Sequence, residues 1–402
     1  MPATADMAAS DAGAATTPPG ALGLGASHLA QVFAQLPLEV AHAEGVWLYT
    51  RDGRRVLDCY GGHAVAALGY GHPRWLAALA TQARELQFQT NAIPLAVRER
   101  AAERLVRFAG LGLTQVFFVN SGAEANENAL RLAFRLTGRA EAVALEHGWH
   151  GRTAAAGAVT FGARAKWYGF PQAPFDVRFV SRSDPAAAAE GVTRATACVI
   201  VEPVQGLAGA FEVPAAVLAA LRRRCDEVGA LLIFDEVQCG VGRLGYPFAA
   251  NRVGVTPDIL TTAKALGAGF PVSALLLAPQ LAARLKVEDM GTTFGGGPLA
   301  CAIVETVIDI IESEGLLENV RRMSALIAAS CRVGPVTGMQ GAGLLMGLRT
   351  ARPAKDVQRE LLARDVLAGT ASDPHILRLL PPFTLREEHV AVLAAALASI
   401  AP

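Results

Sequence analysis

The stretch "GALLIFDEVQCGVGRLG", residues 229–245, decides how the rest of the chain is read. An apolar run from Ala230 to Phe234 leads straight into two acids, Asp235 and Glu236. A continuous apolar run of this length, bounded by turn residues, fits a strand covered on both faces, as in parallel sheets. An acid ending such a strand needs a cation or several hydrogen bonds. Successive strand residues point to opposite faces, so Asp235 shares a side with Val237 and Glu236 turns away. Gly240, Gly242 and Gly245 also match G-x-G-x-x-G. That fingerprint of dinucleotide sites requires a helix opening on the glycines. The following "YPFAANRVGVTPD" is short, proline-broken and loop-like, so the match is rejected and a nicotinamide-dependent dehydrogenase is left as a remote alternative.

Working outward, "QVFFV", "EAVAL", "DVRFV", "TACVIVE", "DILTT" and "SALLLA" are runs of the same kind between Gln115 and Ala278. With "ALLIF" they make seven strand candidates, separated by helical patterns such as Glu124–Leu136 and Pro214–Val228. The fold class is therefore α/β, with a mainly parallel seven-stranded sheet covered on both faces. Ligands of such sheets bind at the carboxyl ends of the strands. After about residue 300 the text turns helical, then strand-like at "GLLMGLR", then helical again, which predicts a second, smaller α+β domain. "GVWLYTRDGRRVLDC" predicts a hairpin turning at Asp52 and Gly53 and joining that smaller domain. The expected organisation is a disordered tail over 1–27, an amino-terminal segment over 28–62, a large domain over 63–300 and a small domain over 301–402.

In 402 residues, 36 acids balance 36 Lys plus Arg, so no net field draws the chain toward nucleic acid or an acidic membrane. A small-molecule partner is expected instead. Apolar runs fall well short of the roughly 18 residues of a membrane span. The tail carries neither a secretory nor a transit signal, and the six cysteines are scattered without a C-x-x-C pair, so a cytoplasmic protein is expected. His147 and His150 in "HGWH" have no accompanying ligand cluster, and no metal is expected.

The chain holds only four lysines, and Lys264 alone sits among apolar neighbours, in "DILTTAKALGAGFP". Desolvation there lowers the pKa of an ammonium and makes a nucleophilic amine available for a Schiff base; the bland alternative is a lysine snorkelling from a loop. "FFVNSGAEANENALRL" runs from a strand through Asn120, Ser121, Gly122 and Ala123 into a helix, whose free N–H groups suit a phosphate. Ser121 and Glu124 also form a capping box that needs no ligand.

An amine in an apolar pocket, a buried acid at a strand end and a phosphate-ready helix start are what pyridoxal 5'-phosphate (PLP) needs. In order and spacing they resemble the class III, ornithine-type aminotransferases, fold type I PLP-dependent transferases, from about Pro37 to Pro382. Within that class "NSGAEANE", "HGRT", "DEVQ", "TTFGGGPLA" and "LRLLPP" look most like the acylornithine branch of arginine biosynthesis. The resemblance implies that Lys264 forms the Schiff base and shuttles the proton, and that Asp235 pairs with the pyridinium nitrogen. It implies Gln238 on the phenolic oxygen, Gly122 and Ala123 on the phosphate, and Trp149 and Val237 on the two ring faces. Thr293 would reach the phosphate of the neighbouring subunit and Thr292 its substrate, which implies a homodimer with shared sites. Arg152 and Arg378 would grip substrate carboxylates. Trp149 replaces the family's usual phenylalanine; Leu207, in "EPVQGLAGA", stands where a glutamate normally neutralises the second arginine; and Phe33 stands for a substrate-contacting tyrosine. The implied reaction moves the terminal amine of N2-acetylornithine to 2-oxoglutarate. N-succinylornithine, ornithine, 4-aminobutyrate or an acylated lysine as donor, or an intramolecular aminomutase, are the alternatives.

Overall fold

A computed structural model describes residues 28–402, and the tail expected over residues 1–27 lies outside them. The described chain opens on β1 (Val40–Glu44), β2 (Trp47–Thr50) and β3 (Arg55–Asp58). β2 and β3 form the expected hairpin, with Leu48 opposite Val56. A hydrogen bond from the Gly53 N–H to the Thr50 carbonyl, 3.1 Å long, closes its turn.

All seven apolar runs become strands of one sheet. They are β4 (Gln115–Val119), β5 (Glu141–Leu145), β6 (Asp176–Val180) and β7 (Thr196–Val201) and, beyond the short pair β8 (Val204–Gln205) and β9 (Phe211–Glu212), β10 (Leu231–Asp235), β11 (Ile259–Thr262) and β12 (Ser273–Leu277). The order is β4-β12-β11-β10-β7-β5-β6. Only β12 runs against its neighbours in this sheet, so the sheet is mainly parallel.

Strand parity sorts the core into two layers. Leu232 and Phe234 pack in one apolar cluster with Val217, Leu218 and Leu221 of the helix Ala215–Val228. Ile233 packs in the other, with Ala125, Ala129 and Ala133 of the helix Gly122–Thr137. Asp235 continues the Ile233 side and therefore meets the helix Gly122–Thr137; Glu236 continues the Phe234 side. The segment read as loop-like, "YPFAANRVGVTPD", does contain a short helix, Ala249–Val253. It begins after Phe248 and not on the glycines, and Glu236 accepts its first N–H groups, so apolar packing and a buried carboxylate hold five residues helical that lack the length to declare it.

Beyond the sheet come the helices Pro298–Ser313 and Leu316–Ser330, then β13 (Val336–Ala342), β14 (Leu345–Thr350), β15 (Val366–Leu367), β16 (Gly369–Thr370) and β17 (Ile376–Leu379), and last the helix Glu387–Ala398. β13, β14, β17 and β16 form an antiparallel sheet. β15 leaves it and pairs in parallel with β3, Val366 opposite Leu57, so backbone bonds tie the amino-terminal hairpin to the carboxyl-terminal region. The boundary expected at residue 300 falls inside the helix Pro298–Ser313, whose Asp309 pairs with Arg104 at 2.7 Å. Among the described residues no helix is long and apolar enough to cross a membrane.

Candidate active site

At the carboxyl ends of the parallel strands lies a cavity of about 810 Å³, a size that suits a cofactor with its substrate. It brings together Gly122, Ala123, Trp149, Arg152, Asp235, Val237, Gln238, Lys264 and Arg378 of the residues singled out by sequence, with Phe33 and Leu207 at its wall. Thr292 and Thr293 are not in it. Thr293 is exposed, and the Thr292 hydroxyl accepts the Gly295 N–H at 3.1 Å.

The floor is built on Asp235, 3% exposed at the end of β10. Its Oδ2 accepts from Asn126 Nδ2 and lies 2.7 Å from His150 Nδ1; its Oδ1 accepts the Val237 N–H at 3.1 Å. Asn126 is held in turn by the Thr261 hydroxyl (2.6 Å) and by the His150 carbonyl, to which its Nδ2 donates (2.7 Å). A lone pair on Oδ1 remains for a donor in the cavity. Glu236, facing away, accepts the N–H groups of Ala249 and Ala250, and burial pushes its carboxyl up to about 7. One neighbour serves the cavity and the other caps a helix.

Lys264 follows β11 on a single 3₁₀ turn, Lys264–Leu266, with φ 45°. A non-glycine residue held in the left-handed region costs about 1–2 kcal/mol, and such strain concentrates where function needs a fixed geometry. Lys264 is half-buried, whereas Lys166, Lys286 and Lys355 are exposed. Burial pulls its ammonium below the ordinary lysine range, against the opposing pull of Asp235 and Glu202.

The helix start carries the capping box and more. Ser121 Oγ accepts the Glu124 N–H, and Glu124 Oε2 accepts the Ser121 N–H at 2.8 Å. The N–H groups of Gly122 and Ala123, between those two, have no partner among the described residues. The box and an anion site are thus compatible, because they use different donors. Gly122 cannot be larger: a Cβ there would lie 2.6 Å from Val237 Cγ1.

At the mouth, Arg378 is 3% exposed and donates Nε to the Thr370 carbonyl at 2.7 Å. Burial lowers its pKa, and among the described residues no carboxylate pairs with it. Arg152 is exposed, its guanidinium 5.2 Å from the Trp149 ring centre. Gln238 Nε2 donates to the His63 carbonyl at 3.4 Å.

Sequence reasoning missed several members. His150, weighed as a metal ligand, is turned to Asp235, while the His147 ring packs tilted against Phe161, centres 4.9 Å apart. Glu202, quoted only as the frame for Leu207, lines the cavity and accepts the N–H groups of Trp149 (2.8 Å) and Gly206 (3.2 Å); burial pushes it up to about 7. Asn126 sits one helical turn past Gly122, a spacing that marks it for the same face. His63 also lines the cavity, with Nδ1 2.6 Å from the Tyr60 hydroxyl.

These residues fit PLP. Two unpartnered N–H groups at a helix start suit a phosphate, a fixed carboxylate with a spare lone pair suits a protonated ring nitrogen, and a desolvated amine suits an aldehyde. The chain is 41% identical over 384 residues to the acetylornithine aminotransferase of Mesorhizobium japonicum, a match covering 90% of this chain and 93% of that one. Among solved structures, the ornithine aminotransferase of Toxoplasma gondii, with PLP in partial occupancy at its active site, is similar with a TM-score of 0.86 and 26% identity. That likeness covers 93% of this chain and 92% of that one. The acetylornithine aminotransferase of Elizabethkingia anophelis is similar with a TM-score of 0.81 and 28% identity, over 92% and 96% of the two chains. The family model for class III aminotransferases matches residues 29–401, nearly the whole chain, and the protein belongs to that family.

Proposed function

We propose that this protein is a PLP-dependent aminotransferase that moves the terminal amine of N2-acetylornithine to 2-oxoglutarate, giving N-acetylglutamate 5-semialdehyde and glutamate. The bound cofactor supplies an electron sink that acidifies the carbon carrying the migrating amine. Lys264 would hold it covalently, Asp235 its ring nitrogen, Gln238 its phenolic oxygen, Gly122 and Ala123 its phosphate, and Trp149 and Val237 its ring faces. Lys264 Nζ, whose ammonium burial makes easier to deprotonate, takes the proton from the amine-bearing carbon and returns it. Arg152 and Arg378 bind substrate carboxylates through their N–H edges. The two substrates enter in turn, so one wall must accept both.

The observation that carries the choice of donor is that wall. Phe33 and Leu207 line the cavity that also holds two arginines without carboxylate partners among the described residues. Free ornithine brings an α-ammonium that this wall cannot compensate; acylation removes the charge. The family relatives named acetylornithine aminotransferase support the same donor. Assayed side by side with 2-oxoglutarate, N-acetylornithine should exceed ornithine by about a hundredfold in kcat/KM. Equal or better use of ornithine overturns the reading, and a preference for N-succinylornithine or 4-aminobutyrate moves it to that donor.

The active unit is a homodimer in the cytoplasm, with Thr293 and Thr292 serving the neighbouring subunit's phosphate and substrate. Support comes from an exposed apolar patch beside them, where the Phe88 and Phe294 rings lie 5.5 Å apart, and from six buried, unpaired thiols. Residues 63–300 form the large domain, and 28–62 with 301–402 the small one, a division supported by the β3–β15 pairing.

A further inference from the structure

Arg152 is held in an unusual way for an exposed arginine. Its guanidinium carbon lies 4.3 Å from the centre of the Trp167 ring and 5.2 Å from that of Trp149, and the two indoles are themselves 5.3 Å apart. Among the described residues it has no carboxylate partner. Trp149 is part of the cavity wall; Trp167 is not. The position of Trp167 is nevertheless built. It ends the short helix Ala163–Lys166, its N–H donating to the Ala163 carbonyl at 2.9 Å, and the next residue, Tyr168, is buried with its hydroxyl donating to the Ala154 carbonyl at 2.6 Å. Gly157 leaves the room these rings occupy: a Cβ there would fall 3.0 Å from Tyr168 ring carbons and 3.5 Å from Trp167 Cζ3.

A guanidinium stacked by its face keeps its in-plane N–H groups free, and those are the groups that meet a carboxylate as a fork. An unheld arginine carries rotamer entropy that binding would have to remove. Two indoles remove part of it before the substrate arrives and leave the charge without an internal counter-ion. We propose that Trp167 is a positioning residue that fixes Arg152 for the carboxylate of the amino donor. This rests on the reading that Arg152 binds that carboxylate, and it adds the residue that sets how well it does so.

The test compares two donors on the holoenzyme. N-acetylputrescine is N-acetylornithine without its carboxylate, so it presents the same amine and acyl group to the site. Trp167→Leu should raise KM for N-acetylornithine about tenfold with kcat within about twofold, the scale of a partly desolvated cation–π contact, and leave kcat/KM for N-acetylputrescine unchanged. Trp167→Phe, which keeps a ring, should restore most of the lost affinity and serves as the second variant if the leucine variant does not fold. Arg152→Ala separates the two claims. If it raises KM for N-acetylornithine while the Trp167 variants do not, the positioning role is overturned and the reading of Arg152 survives. If Arg152→Ala leaves KM unchanged, both fall. Equal losses on the two donors in Trp167→Leu would make the indole merely structural and overturn the proposal.

Discussion

The floor and the mouth of the cavity are built on opposite principles. At the floor the protein answers most polar groups itself: Asp235 has three donors, and Asn126 is tied to Asp235, His150 and Thr261, while His150 Nε2 and one lone pair of Asp235 Oδ1 are left over. At the mouth Arg152 and Arg378 are cations with no carboxylate partner among the described residues, set against Phe33 and Leu207. A densely bonded network cannot reorganise cheaply, so the floor fixes one chemistry. Unanswered cations beside apolar walls leave the pairing to the ligand, so the mouth sets selectivity. Changes at the floor should therefore strike kcat, and changes at the mouth should move KM and substrate ratios.

The largest effect is expected at Lys264. Lys264→Ala should fold, since among the described residues the side chain makes no hydrogen bond or ion pair that the fold would lose, and should lose turnover by more than about 10⁴-fold, the upper scale of a single acid–base group. Borohydride reduction of the wild-type holoenzyme followed by peptide mapping should find the cofactor on Lys264. Trapping on Lys166, Lys286 or Lys355 would break the assignment.

Next comes the pair of adjacent acids. Asp235→Asn keeps the size and most hydrogen bonds of the floor but removes its charge, and turnover should fall by about a hundredfold or more. Glu236→Gln removes an equally buried charge on the other face and should leave kcat within a few-fold. The Glu236 difference appears in stability against pH. Burial raises its folded pKa to about 7 from an ordinary value of 4.5, so the folded chain holds a proton that the unfolded chain has released. Its contribution to stability is therefore present below pH 4.5 and is lost as pH rises through about 7. Thermal melts should show wild type losing ground to Glu236→Gln across that window; parallel curves would mean that Glu236 is ionised throughout. Near-normal turnover in Asp235→Asn would erase the distinction between the two faces.

Those two acids also mark how far the sequence was legible. Strand parity set Asp235 and Glu236 on opposite faces, the resemblance gave Asp235 to the cofactor, and the seven apolar runs all entered one sheet, because burial on both faces leaves a continuous apolar signature. Lys264 stood out by its rarity among apolar neighbours. What was hidden depends on convergence: Asn126 and His150 reach the Asp235 carboxylate and Thr261 holds Asn126, from three separate segments that no spacing joins. The approach of Arg152 to Trp167 was hidden for the same reason, since two short helices joined by a turn separate them and no single periodicity spans the gap. The helix start was read as a choice between capping box and anion site, and only placed N–H groups show that both fit at once. Thr292 and Thr293 lie outside the cavity of their own chain, a placement that the family resemblance implied and no spacing along the chain could have given.

The smallest expected effect sharpens the mouth. The Leu207 carbonyl accepts the Ser372 N–H at 2.9 Å, and Thr370, two residues earlier, accepts from Arg378. Leu207 is thereby held on the Arg378 side of the cavity, which both side chains line. A glutamate at 207 would place a carboxylate where Arg378 now has none and where an α-ammonium would otherwise be uncompensated. The half-buried position limits the pairing to about 1 kcal/mol, little more than that of a surface ion pair. Leu207→Glu should therefore raise kcat/KM for free ornithine by a few-fold and lower that for N-acetylornithine by a similar factor, narrowing their ratio by about tenfold. The measurement is that ratio under one set of conditions, with thermal stability as a control. An unchanged ratio in a stable variant would remove Leu207 from the selective wall and leave Phe33 to carry the discrimination.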